Sequence, residues 1–180
     1  MKVGVISDTH LVSGGFGLRK AAAQLISKSR QGFDYLERII DEHFSDVDKI
    51  LHAGDLVDLE VLELLEQKAP VEAVRGNMDS GEIARELPIK KIITIEGHRI
   101  GLIHGWGAPT GIVERIKKEF DDKIEVIVFG HTHTPMNTKF GDVLFFNPGS
   151  PIDKRFAPYN SIGILYVSPD SIEGEIIKLE

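Results

Sequence analysis

Residues 3–10 read Val-Gly-Val-Ile-Ser-Asp-Thr-His, a short β-branched run that breaks off in an aspartate and a histidine one residue apart. The run suits a strand covered on both faces. In extended chain, the Asp8 and His10 side chains leave on the same side, so the two can grip one ion. The same design recurs four more times. Lys49–Leu51 runs into His52-Ala53-Gly54-Asp55, and Val71–Arg75 into Gly76-Asn77-Met78-Asp79. Ile100–Ile103 runs into His104-Gly105, and Val126–Phe129 into Gly130-His131-Thr132-His133. Each corner presents polar side chains at the C-terminal end of a strand, the edge where ligands bind in open α/β sheets. One such corner is ordinary turn chemistry; five in a chain of 180 residues make a site.

Outward from these corners, strands are expected near 2–7, 48–52, 71–75, 91–96, 99–104, 124–129, 136–140, 143–147, 161–167 and 172–178. The later ones alternate and pair through hairpin corners at Glu96-Gly97-His98 and Gly141-Asp142. Helices fit Phe33–Phe44, with Phe33, Leu36, Ile40 and Phe44 on one stripe, then Leu56–Gln67 and Ile112–Phe120. The chain therefore begins as βαβαβ and ends in antiparallel hairpins. That pattern predicts an α/β fold, a four-layer α/β/β/α sandwich of two mixed β-sheets flanked by helices. One domain over residues 1–180 is expected, since no linker, repeat or low-complexity tract interrupts it.

The stretch from Leu11 to Gly32 stands apart as a basic insertion in the first β-to-α connection. Leu18, Ala22, Leu25, Ile26 and Ser29 fall on one helical face, and Gly32 suits its C-terminal cap. From Thr9 through Phe33 there is no acidic residue, while Arg19, Lys20, Lys28 and Arg30 are present. Two readings stand: a solvated helix face, or a lid or subunit contact whose cations meet an anionic substrate group.

A hydrophobic share of 42% and a mean hydropathy of -0.06 are ordinary for a globular chain. No apolar stretch approaches the roughly 20 residues a membrane span needs, and the N-terminus enters strand pattern without a signal peptide. The absence of cysteine removes disulfides, thiolate nucleophiles and sulfur ligands together, and a cytoplasmic location is the default expectation. A net charge of -7 argues against binding long nucleic acid.

The candidate ligands at the corners are four histidines, His10, His104, His131 and His133, with several aspartates and Asn77, a set suited to two divalent ions. His131 and His133 are spaced to serve one ion each, Asp55 is a candidate bridge, Asn77 offers a neutral oxygen and His104 a further nitrogen. Imidazoles without thiolates favour Mn, Fe, Ni, Co or Zn over Ca or Cu(I). Asp58 and Asp79 fit turn or supporting anchors. His43 and His98 fit solvated surface, and His52 fits either a packed strand histidine or support for a ligand.

Asp-Thr-His, Gly-Asp-Leu-Val-Asp, Gly-Asn-Met-Asp, Ile-His-Gly and Gly-His-Thr-His resemble, in order, the five blocks of the calcineurin-like metallophosphoesterases, over roughly Met1 to Ile152. Val74-Arg-Gly-Asn77 and Asn147-Pro-Gly-Ser150 are similar to its small bacterial and archaeal phosphodiesterase branch. The resemblance implies a first metal on Asp8, His10, Asp55 and His133, and a second on Asp55, Asn77, His104 and His131. It implies two divalent ions, manganese foremost, with Ni, Co, Fe or Zn as alternatives. The reaction it implies is hydrolysis of a small phosphodiester or nucleotide by a hydroxide bridging the two ions. Small members of the family self-associate, so a homodimer is the expected assembly.

Met78 departs from the monoesterase pattern. Many relatives carry His there, placed to stabilise the transition state or protonate the leaving oxygen. A thioether does neither, so the expected preference is for diesters. The competing readings are a phosphatase on nucleotides or small phosphometabolites, and a retromer-like interaction scaffold with weak or no catalysis.

Overall fold

The computed structural model describes residues 1–12, 21–154 and 156–180; the side chains of residues 21–29 are outside the description. In chain order the elements are β1 (Lys2–Ile6), α1 (Ala21–His43), β2 (Lys49–His52), α2 (Leu59–Glu66), β3 (Val71–Ala73) and α3 (Gly81–Glu86). Then come β4 (Lys90–Ile95), β5 (His98–Ile103), α4 (Ile112–Lys117), β6 (Val126–Val128), β7 (Met136–Phe140), β8 (Val143–Asn147), β9 (Ser161–Ser168) and β10 (Ser171–Lys178). One sheet has the order β10-β9-β1-β2-β3 and the other β4-β5-β6-β8-β7. Both are mixed. The strands β1, β2 and β3 are parallel, as are β5, β6 and β8, while hairpins supply the antiparallel edges.

Side-chain alternation explains the layering. Val3 and Val5 of β1 face one way and Ile6 the other. Val3, Val5, Leu51, Leu165 and Val167 of the first sheet meet Ile93, Ile100, Leu102, Val126, Val128 and Phe146 of the second in a shared core. On the outer face of the first sheet, Ile6, Ile50, Ile162 and Ile164 pack against Leu36, Ile40 and Phe44 of α1 and Val61 and Leu65 of α2. On the outer face of the second, Ile103, Ile127 and Phe145 pack against Ile112 and Ile116 of α4. The result is the four-layer sandwich expected from the sequence.

All ten expected strands form. The helices differ in extent. α1 runs without a break through Gly32, so Gly32 caps nothing: a Cβ there would lie 2.6 Å from Leu11 Cδ2. The glycine serves close approach of the β1 exit to the helix. Arg19 and Lys20, like Leu18, lie outside the described residues, as does the side chain of Lys28; Arg30 is exposed. α2 starts at Leu59 rather than Leu56 because Asp58 caps it, accepting from Glu60 N at 3.0 Å. α3 has no counterpart in the sequence reading. Among the described residues, no helix is long and apolar enough to cross a membrane.

Candidate metal centre

Parallel strands of each sheet end along one edge, and the five corners meet there. Asp8 and His10 follow β1, Asp55 follows β2, Asn77 follows β3, His104 follows β5, and His131 and His133 follow β6. Asp8, Asp55, His104 and His133 are buried, His10 and His131 are half-buried, and Asn77 is exposed, so the site opens on the Asn77 side.

Two groups of donors emerge. His10 Nε2 and His133 Nε2 face each other at 3.2 Å, with Asp8 Oδ1 at 3.4 Å from the latter. His104 Nε2 lies 3.3 Å from Asp55 Oδ2 and 3.2 Å from Asn77 Oδ1, and that amide oxygen is also 2.9 Å from His131 Nδ1. Asp55 Oδ2 reaches both groups, at 3.7 Å from His10 Nε2. Asp8 Oδ1 also touches both, at 3.9 Å from His104 Nε2.

The tautomers show what belongs between these atoms. The Gly107 carbonyl only accepts, so His131 Nε2–H donates to it at 2.8 Å and Nδ1 turns a lone pair toward Asn77 Oδ1. Likewise His104 Nδ1–H donates to the Ala53 carbonyl at 2.8 Å, leaving Nε2 to face two oxygens. Lone pairs converging on one another repel unless a cation separates them. Nitrogen and oxygen donors held about 2.1 Å from a common ion stand about 3.0–3.4 Å apart, the spacing of the closest contacts here. The donor set therefore fits divalent cations.

The protonation preferences agree. Burial pushes His104 down, but its contact with Asp55 and the charges of Asp8 and Asp55 outweigh that, and the imidazole is raised. His133 is raised in the same way, burial being outweighed by Asp8. Its partner His10 is lowered, foremost by burial. Burial also pushes Asp55 up, but His104 and the Met78 amide carry its carboxyl below the ordinary value.

Backbone and side-chain contacts hold the ligands in aim. Asp79 accepts three amides: Val57 N at 2.7 Å, Gly76 N at 2.7 Å and Asp55 N at 3.0 Å. Met78 N donates to Asp55 Oδ1 at 2.7 Å, which leaves Oδ2 for the site. A Cβ at Gly76 would run into the Asp55 carboxylate, so only glycine lets the second and third corners approach. Asp8 takes the Ser7 hydroxyl and the His131 amide. Asn147 Nδ2 donates to Gly130 O at 2.9 Å and Ser150 Oγ to Asp8 O at 2.8 Å, so the 147–150 turn braces the first and fifth corners.

A sequence profile of the calcineurin-like phosphoesterase superfamily domain matches residues 1–170. The chain belongs to this superfamily. Within it, the chain is 40% identical over 184 residues to a Methanocaldococcus jannaschii protein named "probable metallophosphoesterase", spanning 100% of this chain and 82% of that one. It is 28% identical over 159 residues to a phosphodiesterase of the same organism, spanning 83% of each. The Vps29 crystal structure from Chaetomium thermophilum shares the fold, with a TM-score of 0.72, 18% identity, and 99% of this chain and 89% of that one covered.

The other histidines, and one further aspartate, fall as follows. His52 is fully buried; Gly54 N donates to its Nδ1 at 3.1 Å, and Nε2 lies 3.3 Å from Thr9 Oγ1. Through these contacts it supports the loop that carries Asp55. His43 sits half-buried at the end of α1 beside Glu42. His98 is no free surface residue: Nδ1 meets Glu125 at 2.8 Å and Nε2 donates to Ser168 O at 2.9 Å, tying β5 to the β9 end. Asp153 escaped the sequence reading; its Oδ2 lies 3.3 Å from His133 Nδ1. Its only sequence signal is its place just past the 147–150 turn.

Proposed function

We propose that this protein is a binuclear metal-dependent phosphodiesterase acting on small phosphodiesters. The observation that carries this reading is the convergence of lone pairs from two donor groups on two shared spaces, with Asp55 Oδ2 within reach of one nitrogen from each. Asp8, His10, Asp55 and His133 would hold one ion, and Asp55, Asn77, His104 and His131 the other. Manganese is the first candidate, with Ni, Co, Fe or Zn as alternatives. When bound, a pair of divalent ions supplies Lewis acidity that activates water and neutralises charge on the phosphoryl oxygens.

The protein's own part is to aim and to exclude. Asp79 and the Met78 amide fix the Asp55 carboxylate, and the 147–150 turn fixes Asp8 and the 130–133 loop. The Met78 side chain is exposed and has no proton to donate. A leaving group that departs without help from this position suits a diester or another activated ester better than an alkyl monoester. The likeness to an archaeal phosphodiesterase supports the same choice.

Manganese-loaded protein is expected to turn over an aryl phosphodiester, and Asp55→Asn to lower kcat/KM by at least about 100-fold. Metal binding without any turnover on Mn, Ni, Co or Zn would leave a scaffold instead of an enzyme. Met78→His is expected to raise aryl monoester hydrolysis about tenfold relative to the diester. An unchanged ratio would remove the diester argument and favour a phosphatase.

A further inference from the structure

Beside the second donor group lies a cavity of about 250 Å³, walled by Arg75, Asn77, Ile89, Ile103, His104 and Trp106. Two of these six, Asn77 and His104, are proposed ligands, so whatever fills the cavity adjoins the second proposed ion. The other walls are mainly apolar, and two of them are open: Ile89 is 60% and Trp106 42% exposed. Large apolar side chains left exposed around a polar site mark a binding surface more often than isolated ones do.

The platform is built before any ligand arrives. Arg115 of α4 reaches back to the loop that carries Trp106. Its Nε and Nη2 donate to Trp106 O at 3.2 and 3.0 Å, its Nη1 to Thr110 O at 2.9 Å, and its Nη2 also to Ala108 O. On the other side, His131 Nε2 donates to Gly107 O. One guanidinium and one proposed ligand thus fix the loop between them, and a fixed surface costs little ordering on binding.

We propose that this cavity is the subsite for one ester group of the substrate, and that the group is flat and aromatic, an aryl ring or a nucleobase. The proposal rests on the phosphoesterase reading above and names the substrate class it leaves open. The volume is below the roughly 300–1,000 Å³ of pockets that enclose a whole drug-sized ligand, so it suits one substituent whose phosphate sits outside, at the ligands. Among the wall residues Trp106 offers the largest face, and an indole face favours a ring over an alkyl chain through stacking. Ile89 supplies the apolar remainder, Ile103 being buried beneath α4.

Phenylphosphonate and methylphosphonate separate this subsite from the chemistry, because neither has an ester to hydrolyse. Their binding to manganese-loaded protein is measured by calorimetry and by the fluorescence of Trp106, the chain's single tryptophan. Phenylphosphonate should bind about tenfold more tightly and change the emission, whereas methylphosphonate should not change it. In Trp106→Ala and in Ile89→Asp the preference should fall to within about twofold, with methylphosphonate affinity unchanged. Equal binding of the two probes, or a preference that survives both substitutions, overturns the subsite while leaving the phosphoesterase reading intact. Failure of both probes to bind removes the two together. With the preference established, adenosine 5′-phosphonate and phenylphosphonate in competition tell a nucleobase site from an aryl one.

Discussion

Asp8, His10, Asp55, His131 and His133 all have positive φ, between 45° and 69°, a region that residues other than glycine seldom enter. Each such residue costs about 1–2 kcal/mol, and five of them are proposed ligands. That strain persists only because neighbouring groups over-determine the corners, and Asp79 is the largest of these, with three amides on one carboxylate. Asp79→Asn keeps the volume but turns an NH₂ toward amide donors. It is expected to cost about 2–3 kcal/mol, lowering Tm on the order of 10 °C, and to weaken manganese binding about 10- to 100-fold through Asp55. Thermal melts and metal titration of the same variant check both effects; a Tm loss with unaltered metal affinity would make Asp79 structural only. The Asp and His among the seven proposed ligands stand out in the sequence because such residues directly after apolar runs are distinctive, whereas Asn77 reads as a turn residue and is singled out only through the family resemblance. The residues that aim them were far less visible. Asp153 and Ser150 act across gaps of 20 and 142 residues, on His133 and Asp8, and Met78 acts through its amide, which no side-chain reading detects.

At the level of elements, the strands were legible because each carries its own period and sits between two turn signals. α3 was not, since six residues with Ile83 as the one buried side chain leave no periodic stripe. Gly32 misled for a physical reason: glycine commonly ends helices, but here it lies inside one where Leu11 needs the room. The contact between sheets was equally invisible, and it is specific. Phe146 of β8 is fully buried, and its ring fills the space where Cβ atoms of Gly163 in β9 and Gly174 in β10 would stand. Gly163→Ala should therefore overpack the shared core by about 1–3 kcal/mol, whereas a pairing with Phe146→Leu should recover part of that loss. A double-mutant cycle from denaturant melts measures it; strictly additive costs would mean that the ring and the glycine do not depend on each other.

The whole molecule gathers buried titratable groups along one edge, and this makes its stability depend on pH with a definite sign. Burial, above all, pushes His52 down to about 3, while in the unfolded chain it titrates near 6.5. Between those values the unfolded chain takes up a proton that the folded one refuses, so stability present above about pH 6.5 is lost as the pH falls toward 3. His10, lowered mainly by burial, adds to the same acid limb. His98, His104 and His133 work in the opposite window. Their folded values are raised, so their contribution is complete below about pH 6.5 and is lost only as the pH climbs through those raised values. Asp55, with its lowered value, matters chiefly below the usual carboxylate range. The span from about pH 6.5 to about pH 4 therefore reports on His52 and His10 more than on the other shifted groups. Protonating His52 would also remove the acceptor for the Gly54 amide, loosening the corner that presents Asp55. In metal-stripped protein, where no ion competes with protons, Tm is expected to fall steadily across that span. His52→Gln, which carries no titrating group, should show a visibly shallower slope, even though its Tm at neutral pH is lower. Parallel curves for the two proteins would mean that His52 already binds its proton in the folded state, and the burial argument would fail.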